Sequence, residues 1–159
     1  MKNFVNIKKK IQSFKKEIEV PGDKSLSIRC VLLASQAIGV SKIYNLLESE
    51  DVINSLKCIK KLGVNFKKYK KFYKIYGFGL NSFSTEKKST IDAGNSGTLA
   101  RLILGLLINS NNWIKIIGDK SLSKRDFKRI IEPLKFYGAN IKSKNNSLPV
   151  NIHGSKYLR

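Results

Sequence analysis

Residues 21–29 have the sequence PGDKSLSIR, a polar glycine turn leading into an apolar segment, and residues 94–101, GNSGTLAR, repeat this layout. In both stretches the first glycine stands seven residues before an arginine, and the two glycines are 72 residues apart (94 − 22). Later glycine pairs at similar offsets, 75 and 77 residues, are Gly63 with Gly138 and Gly77 with Gly154. Offsets that increase slowly indicate a duplicated unit with small loop insertions.

Hydrophobic periodicity predicts the order α-β-α-β-β in both units. The first unit's predicted elements are a helix at 25–38, a strand at 42–46, an amphipathic helix between Asp51 as N-cap and Gly63, and strands at 64–69 and 72–78. The second unit's are a leading strand at 90–93, a helix at 96–108, a strand at 113–117, an amphipathic helix from Phe127 to Gly138 that Pro133 should kink, and strands at 139–144 and 149–153. A polar link at 81–89 joins them. The first helix of each unit is nearly all apolar, which predicts burial on every side.

Charge is the unusual feature of this 159-residue chain, which has 31 Lys+Arg against 11 Asp+Glu and a net charge of +20. A polyanion partner would explain it, because clustered lysines release counterions from nucleic acid. An AT-rich coding sequence would also explain it, since the chain is rich in Lys, Asn and Ile. The lysine pairs are spread along the chain, so we favour the second interpretation. A nucleic-acid-binding protein would need its lysines gathered on one face.

Several other classes of site are not expected. Cys30 and Cys58 lie in apolar segments without CxxC spacing, which predicts buried free thiols of a reducing compartment. His153 is the only histidine, so we predict neither a histidine-based triad nor a metal site. Charge within the first ten residues disfavours a signal peptide. The apolar stretch 102–108 is too short to cross a bilayer, and we expect a cytoplasmic protein.

Both apolar helices begin at glycine turns, where unpaired backbone N–H groups favour anions. Polar side chains surround the two turns: Lys24, Ser25 and Arg29 at the first, and Asn95, Ser96, Thr98 and Arg101 at the second. If the units pack side by side, both turns could converge on one anion. The spacing alone is equally compatible with turns that merely cap helices.

The detailed composition resembles one family, the 5-enolpyruvylshikimate-3-phosphate synthases (3-phosphoshikimate 1-carboxyvinyltransferases). Residues 21–29 resemble its PG[DS]KSxSxR signature, and residues 94–101 resemble GN[AS]GTxxR. Residues 118–125, GDKSLSKR, are similar to GDxSLxxRP, although Asp126 stands where the family has proline. Together with residues 148–154, these elements follow the family's order over residues 20–154.

The resemblance implies an α/β fold of repeated βαβαββ units, with helices inside and sheets outside. The family has six such repeats in two domains, of which this chain would supply two. Residues 1–19 would be a leading strand that crosses to the other domain, residues 20–80 the first repeat, and residues 81–159 the linker and second repeat. The second domain would be absent from this chain.

The resemblance also implies an activity: transfer of the enolpyruvyl group of phosphoenolpyruvate to the 5-hydroxyl of shikimate 3-phosphate, on the shikimate pathway to chorismate and aromatic amino acids. No cofactor is implied. The implied residues are Lys24, Ser25 and Arg29 for shikimate 3-phosphate, Lys24, Gly97 and Arg125 for phosphoenolpyruvate, and Asn95 and Thr98 around them, with Arg101 structural. The family's acid/base residues lie in later sequence, so we expect no catalytic residue here and no activity of the chain alone.

The partners implied are these two anionic substrates, with no nucleic acid or membrane, and a monomer when full length. Three alternatives remain. A UDP-N-acetylglucosamine enolpyruvyl transferase shares the fold but lacks the KSxSxR run. The others are a basic nucleic-acid-binding module and a non-catalytic gene remnant.

Overall fold

The structure is a computed structural model that describes residues 6, 8, 13, 15, 17–84 and 88–155. The predicted leading strand at 1–19 therefore lies largely outside the described residues. Among the residues that are described, no helix is both long and apolar enough to span a membrane.

The predicted order of elements is confirmed in both halves of the chain. The first half contains α1 (Lys24–Gln36), β1 (Ile38–Tyr44), α2 (Glu50–Lys61), β2 (Asn65–Lys68) and β3 (Phe72–Phe78). The second contains β4 (Lys88–Asp92), α3 (Gly97–Leu106), β5 (Trp113–Ile117), a 3₁₀ turn (Leu122–Lys124), α4 (Lys128–Phe136), β6 (Asn140–Lys144) and β7 (Ser147–His153).

Each half forms its own sheet. The first has the antiparallel order β1-β3-β2, and the second has the order β4-β5-β7-β6, in which β4 runs parallel to β5. The strands β1, β3 and β2 thus occupy the same relative places as β5, β7 and β6. The extra strand β4 is the predicted leading strand of the second unit.

The core lies between the helices and one face of each sheet. Helix α1 packs against α2, α3 and β3, and its Ile28 and Val31 are fully buried. Along β3, Tyr73 and Ile75 are buried, while Phe72, Lys74 and Tyr76 are partly exposed, the alternation expected of a half-buried strand. Each sheet therefore has an inner face against the helices and an outer face toward solvent.

The prediction that the apolar helices are buried on all sides is wrong. Leu26 and Leu33 on α1 are 61% and 68% exposed, and Leu102 on α3 is 38% exposed. The neighbours of α1 cover only its opposite side, and Cys30 lies on the open stripe, so its predicted burial is also wrong. Cys58 is buried as predicted, and this burial raises the pKa of its thiol to about 12.

Several predicted boundaries shift. Helix α2 begins after Ser49, which is the N-cap in place of the predicted Asp51, while Gly63 follows the helix with φ of +90°. Strand β1 begins at Ile38, because α1 ends at Gln36 and the chain becomes extended at Ala37. Pro133 lies inside α4, which continues beyond it to Phe136.

We predict that Ile59→Ala lowers the free energy of unfolding by about 2–5 kcal/mol, because Ile59 is fully buried on α2. Ile38→Ala is the matched control: Ile38 is 91% exposed, so its loss should change stability by less than about 0.5 kcal/mol. Urea denaturation followed by circular dichroism measures both. Equal losses for the two variants would show that the core is not where the structure places it.

Candidate anion-binding site

The two glycine turns flank the same end of α2. Lys24 Nζ lies 3.2 Å from Asp51 Oδ2, and a Cβ on Gly94 would lie 2.4 Å from Asn54 Nδ2. Asp51 and Asn54 are three residues apart on a helix and therefore share a face. One face of α2 thus contacts both turns.

The first turn is held by its own aspartate. Asp23 Oδ1 accepts a 2.7 Å hydrogen bond from the Leu26 N–H, which makes Lys24 the first residue of α1. Ser25 is half-buried, and Arg29, four residues later on the same side of the helix, is exposed. Arg29 lines a cleft of about 210 Å³ with leucines of α1 and α3. The predicted residues of this turn thus line one side of α1.

The second turn brings Arg125 against Gly97. Ser96 is the buried N-cap of α3, and Gly97 is the helix's first residue. A Cβ on Gly97 would lie 2.6 Å from Arg101 Nη1 and 3.0 Å from Arg125 Nη1. The absence of a side chain at Gly97 therefore leaves room for both guanidinium groups at the start of α3, where backbone N–H groups and the helix dipole add positive potential.

A chain of hydrogen bonds holds Arg125 in this place. Arg125 Nη2 donates to Asn95 Oδ1 at 3.3 Å, and Asn95 Nδ2 donates to Asp119 Oδ2 at 2.6 Å. The other carboxylate oxygen of Asp119 accepts from the Leu122 N–H at 2.6 Å. Asn95 thus links the glycine turn to the loop that carries Arg125.

Asp119 is the site residue that the sequence analysis missed. The Leu122 N–H, and next the Asn95 amide, hold the pKa of its carboxyl below the usual value, with smaller contributions from the Ser121 backbone and the Arg125 charge. Asp119 precedes Leu122 by three residues in the sequence GDKSL (residues 118–122), and this spacing is common where an aspartate accepts a hydrogen bond from a backbone N–H in a turn. The sequence therefore contained a pattern that could have identified Asp119.

Arg101 has the structural role expected of it. Its Nη1 donates to the Gly97 carbonyl and its Nη2 to the Asp126 carbonyl, both at 3.3 Å, and its guanidinium lies 4.9 Å from the centre of the Phe127 ring. The Asp126 carboxylate also accepts a 2.7 Å hydrogen bond from the Lys128 N–H, at the start of α4. The aspartate at the family's proline position therefore stabilises this loop. Thr98 lies half-buried in the first turn of α3.

The arrangement is suited to a small anion with more than one acidic group. A forked guanidinium can bind a carboxylate or phosphate through two hydrogen bonds, and a lysine ammonium adds a point charge. The N–H groups at the start of α3 supply further donors.

Known proteins of one family are similar to this chain. A model of the EPSP synthase family (3-phosphoshikimate 1-carboxyvinyltransferase) matches residues 8–159. The chain is similar to the 3-phosphoshikimate 1-carboxyvinyltransferase of Ruthia magnifica subsp. Calyptogena magnifica, with 43% identity over 141 residues, and to that of Bacillus subtilis, with 36% identity over 148 residues. These alignments cover 89% and 92% of this chain but 32% and 34% of the relatives.

A solved EPSP synthase from Acinetobacter baumannii shares the fold, with a TM-score of 0.84 and 35% identity over 92% of this chain and 34% of that one. The mixed α/β fold is thus that of the enolpyruvyl transferases of this type. The chain belongs to the EPSP synthase family, and it spans about a third of the length of the relatives that it matches.

We predict that Asp119→Asn lowers stability at neutral pH, because an amide cannot accept from both Leu122 and Asn95 as the carboxylate does. The lowered pKa means that the carboxylate stabilises the fold above its unfolded-state pKa, and that this contribution is lost as the pH falls through the folded-state value. The stability difference between wild type and variant should therefore be constant above about pH 5 and should shrink between about pH 5 and pH 2. Urea denaturation across this range tests it, and a constant difference would contradict it.

Proposed function

We propose that this chain supplies substrate-binding residues of a 3-phosphoshikimate 1-carboxyvinyltransferase, which transfers the enolpyruvyl group from phosphoenolpyruvate to the 5-hydroxyl of shikimate 3-phosphate. The observation that carries this proposal is the position of the Arg125 guanidinium against Gly97 at the start of α3. Relatives named for this reaction match almost the whole chain, which favours it over the UDP-N-acetylglucosamine enolpyruvyl transferase.

Phosphoenolpyruvate binds, in this proposal, between Arg125, Lys24 and the N-terminus of α3. Arg125 pairs with one acidic group of the substrate, and the absence of a side chain at Gly97 leaves room for it. Lys24 is more than half exposed and paired with Asp51, so its ammonium has hydrogen-bonding capacity left for a ligand. Asn95 keeps the guanidinium in place, and Thr98 lies in the same helical turn.

Shikimate 3-phosphate binds along the start of α1. Ser25 and Arg29 lie on one side of this helix, and Lys24 precedes them at its first position. A hydroxyl and a forked guanidinium there match a sugar-like acid that carries hydroxyl, phosphate and carboxylate groups. Lys24 would then touch both substrates, which would bring the 5-hydroxyl and the enolpyruvyl carbon together.

In the reaction, these residues bind, orient and stabilise charge. Addition of the 5-hydroxyl to phosphoenolpyruvate and elimination of phosphate proceed through a tetrahedral intermediate, whose negative charge Lys24 and Arg125 offset. The methylene carbon must gain and then lose a proton, which requires a positioned acid/base. We propose that this group comes from sequence beyond this chain, that no cofactor is needed, and that the whole protein acts as a cytoplasmic monomer.

We predict that Arg125→Gln weakens binding of phosphoenolpyruvate to the 159-residue chain by about tenfold or more, since a charge-assisted hydrogen bond contributes about 1.5–3 kcal/mol. Arg129→Gln is the matched control. Arg129 is exposed on α4, and its substitution removes the same charge away from the site. Chemical-shift titration with phosphoenolpyruvate measures both. Equal weakening in the two variants would contradict the assigned site.

The chain alone should release no phosphate when both substrates are added. A colorimetric phosphate assay on the purified chain measures this, with a full-length relative as the positive control. Turnover by the isolated chain would refute the assignment of the proton-transfer groups to other sequence.

A further inference from the structure

A row of lysines crosses the outer face of the first sheet, the one formed by β1, β3 and β2. Lys42 of β1 lies directly opposite Lys74 of β3, and Lys67 of β2 lies opposite Lys74 on the other side. Like charges in directly opposed positions destabilise a sheet. In the described part of the chain, the ion pairs involve Lys24, Lys68 and Lys128, so this row has no carboxylate partner.

Aromatic rings lie beside this row. The rings of Tyr44 and Phe72 have centroids 5.4 Å apart, and those of Phe72 and Tyr69 are stacked at 4.8 Å. The lysines contact these rings: Lys42 Nζ lies 6.0 Å from the Phe72 centroid, and Lys74 Nζ lies 5.2 Å from that of Tyr69. Tyr44 is 62% exposed although it carries a large ring. The outer face is thus both cationic and aromatic.

The same pattern recurs at equivalent places in the second sheet. Lys115 of β5 and Lys142 of β6 both lie opposite Asn151 of β7, and they follow Lys42 and Lys67 by 73 and 75 residues (115 − 42 and 142 − 67). These offsets match those of the glycine pairs. Lys142 Nζ lies 4.8 Å from the centre of the Trp113 ring, beside a depression of about 450 Å³. Coding bias would raise the number of lysines but would not place them beside rings in both sheets.

A single-stranded nucleic acid has the chemistry that complements this face. Its phosphates would neutralise a row of lysines without carboxylate partners, and its bases would stack on the exposed ring of Tyr44 and the half-buried rings of Tyr69 and Phe72. Such a combination binds single strands without sequence preference. A duplex presents its phosphates but not its base faces, so it would use the lysines alone.

We propose that the outer face of the β1-β3-β2 sheet binds single-stranded nucleic acid, with bases on Tyr44, Tyr69 and Phe72 and phosphates at Lys42, Lys67 and Lys74. The proposal is independent of the enzyme function proposed above, whose residues lie at the helix N-termini. It departs from the sequence-based expectation of no nucleic-acid partner, which rested on lysine pairs scattered along the chain. The fold gathers lysines from three separate strands onto one face.

The test is fluorescence anisotropy of a labelled oligothymidylate of about 15 nucleotides, titrated with the whole chain at several salt concentrations. The sheet variant carries Lys42→Gln, Lys67→Gln and Lys74→Gln. The matched control loses the same charge from the exposed side of α2 and carries Lys57→Gln, Lys60→Gln and Lys61→Gln. Circular dichroism melting checks that both variants fold.

We expect the sheet variant to bind the oligonucleotide at least tenfold more weakly. The slope of the logarithm of the binding constant against the logarithm of salt concentration should decrease in magnitude by about 2, because each of three phosphate contacts on a single strand contributes about 0.7. The control should stay within about twofold of wild type. Tyr69→Leu should weaken binding about fivefold or more while leaving the slope unchanged, because stacking contributes about 1–3 kcal/mol per base.

Two outcomes would overturn the proposal. Equal losses in the sheet variant and the control would show that binding follows net charge. Unchanged binding in Tyr69→Leu, together with equally tight binding of inorganic polyphosphate, would show that the face attracts any polyanion and does not recognise bases.

Discussion

The bare Cα of Gly97 is the constraint on which the candidate site depends. Two guanidinium groups occupy the space that a side chain there would fill, with Arg101 Nη1 and Arg125 Nη1 at 2.6 and 3.0 Å from the Cβ position. They have different tasks. Arg101 is bonded to backbone carbonyls and covers Phe127, so it stabilises the turn, while the Arg125 guanidinium is exposed and bonded to the Asn95 side chain. Of the two, Arg125 is placed to bind a ligand while it stays bonded to Asn95.

The two halves of the chain each contribute part of this site. Each half of the chain supplies one helix N-terminus at a glycine turn, and neither turn alone has more than a capping motif requires. Helix α2 joins them, because Asp51 pairs with Lys24 and Asn54 lies against Gly94. The site therefore rests on packing between the halves, and Ile28 of α1 and Leu99 of α3 belong to one hydrophobic core.

Short-range sequence patterns predicted the bounds of individual strands, which depend mainly on interactions between residues close in sequence. The alternation in 72–78 and the apolar run at 113–117 gave the bounds of β3 and β5 as the structure has them. The family resemblance implied that Arg125 and Gly97 bind one ligand, and the structure places the Arg125 guanidinium against Gly97. The wrong predictions concern tertiary contacts. Asp51 was predicted to be the N-cap of α2 but forms an ion pair with Lys24. Cys30 was predicted to be buried because its sequence neighbours are apolar, but it lies on the exposed side of α1. Asp119 accepts a hydrogen bond from Asn95, which lies 24 residues away in the sequence. Motif spacing could not predict this contact.

The most direct test of the central claim is a crystal structure of the chain soaked with phosphoenolpyruvate. We expect electron density for the anion at the start of α3, within hydrogen-bonding distance of the Arg125 guanidinium, with Lys24 Nζ on the same ligand and Arg125 still bonded to Asn95. Density elsewhere, or a ligand that Arg125 contacts while Lys24 points to the opposite side of the molecule, would contradict it.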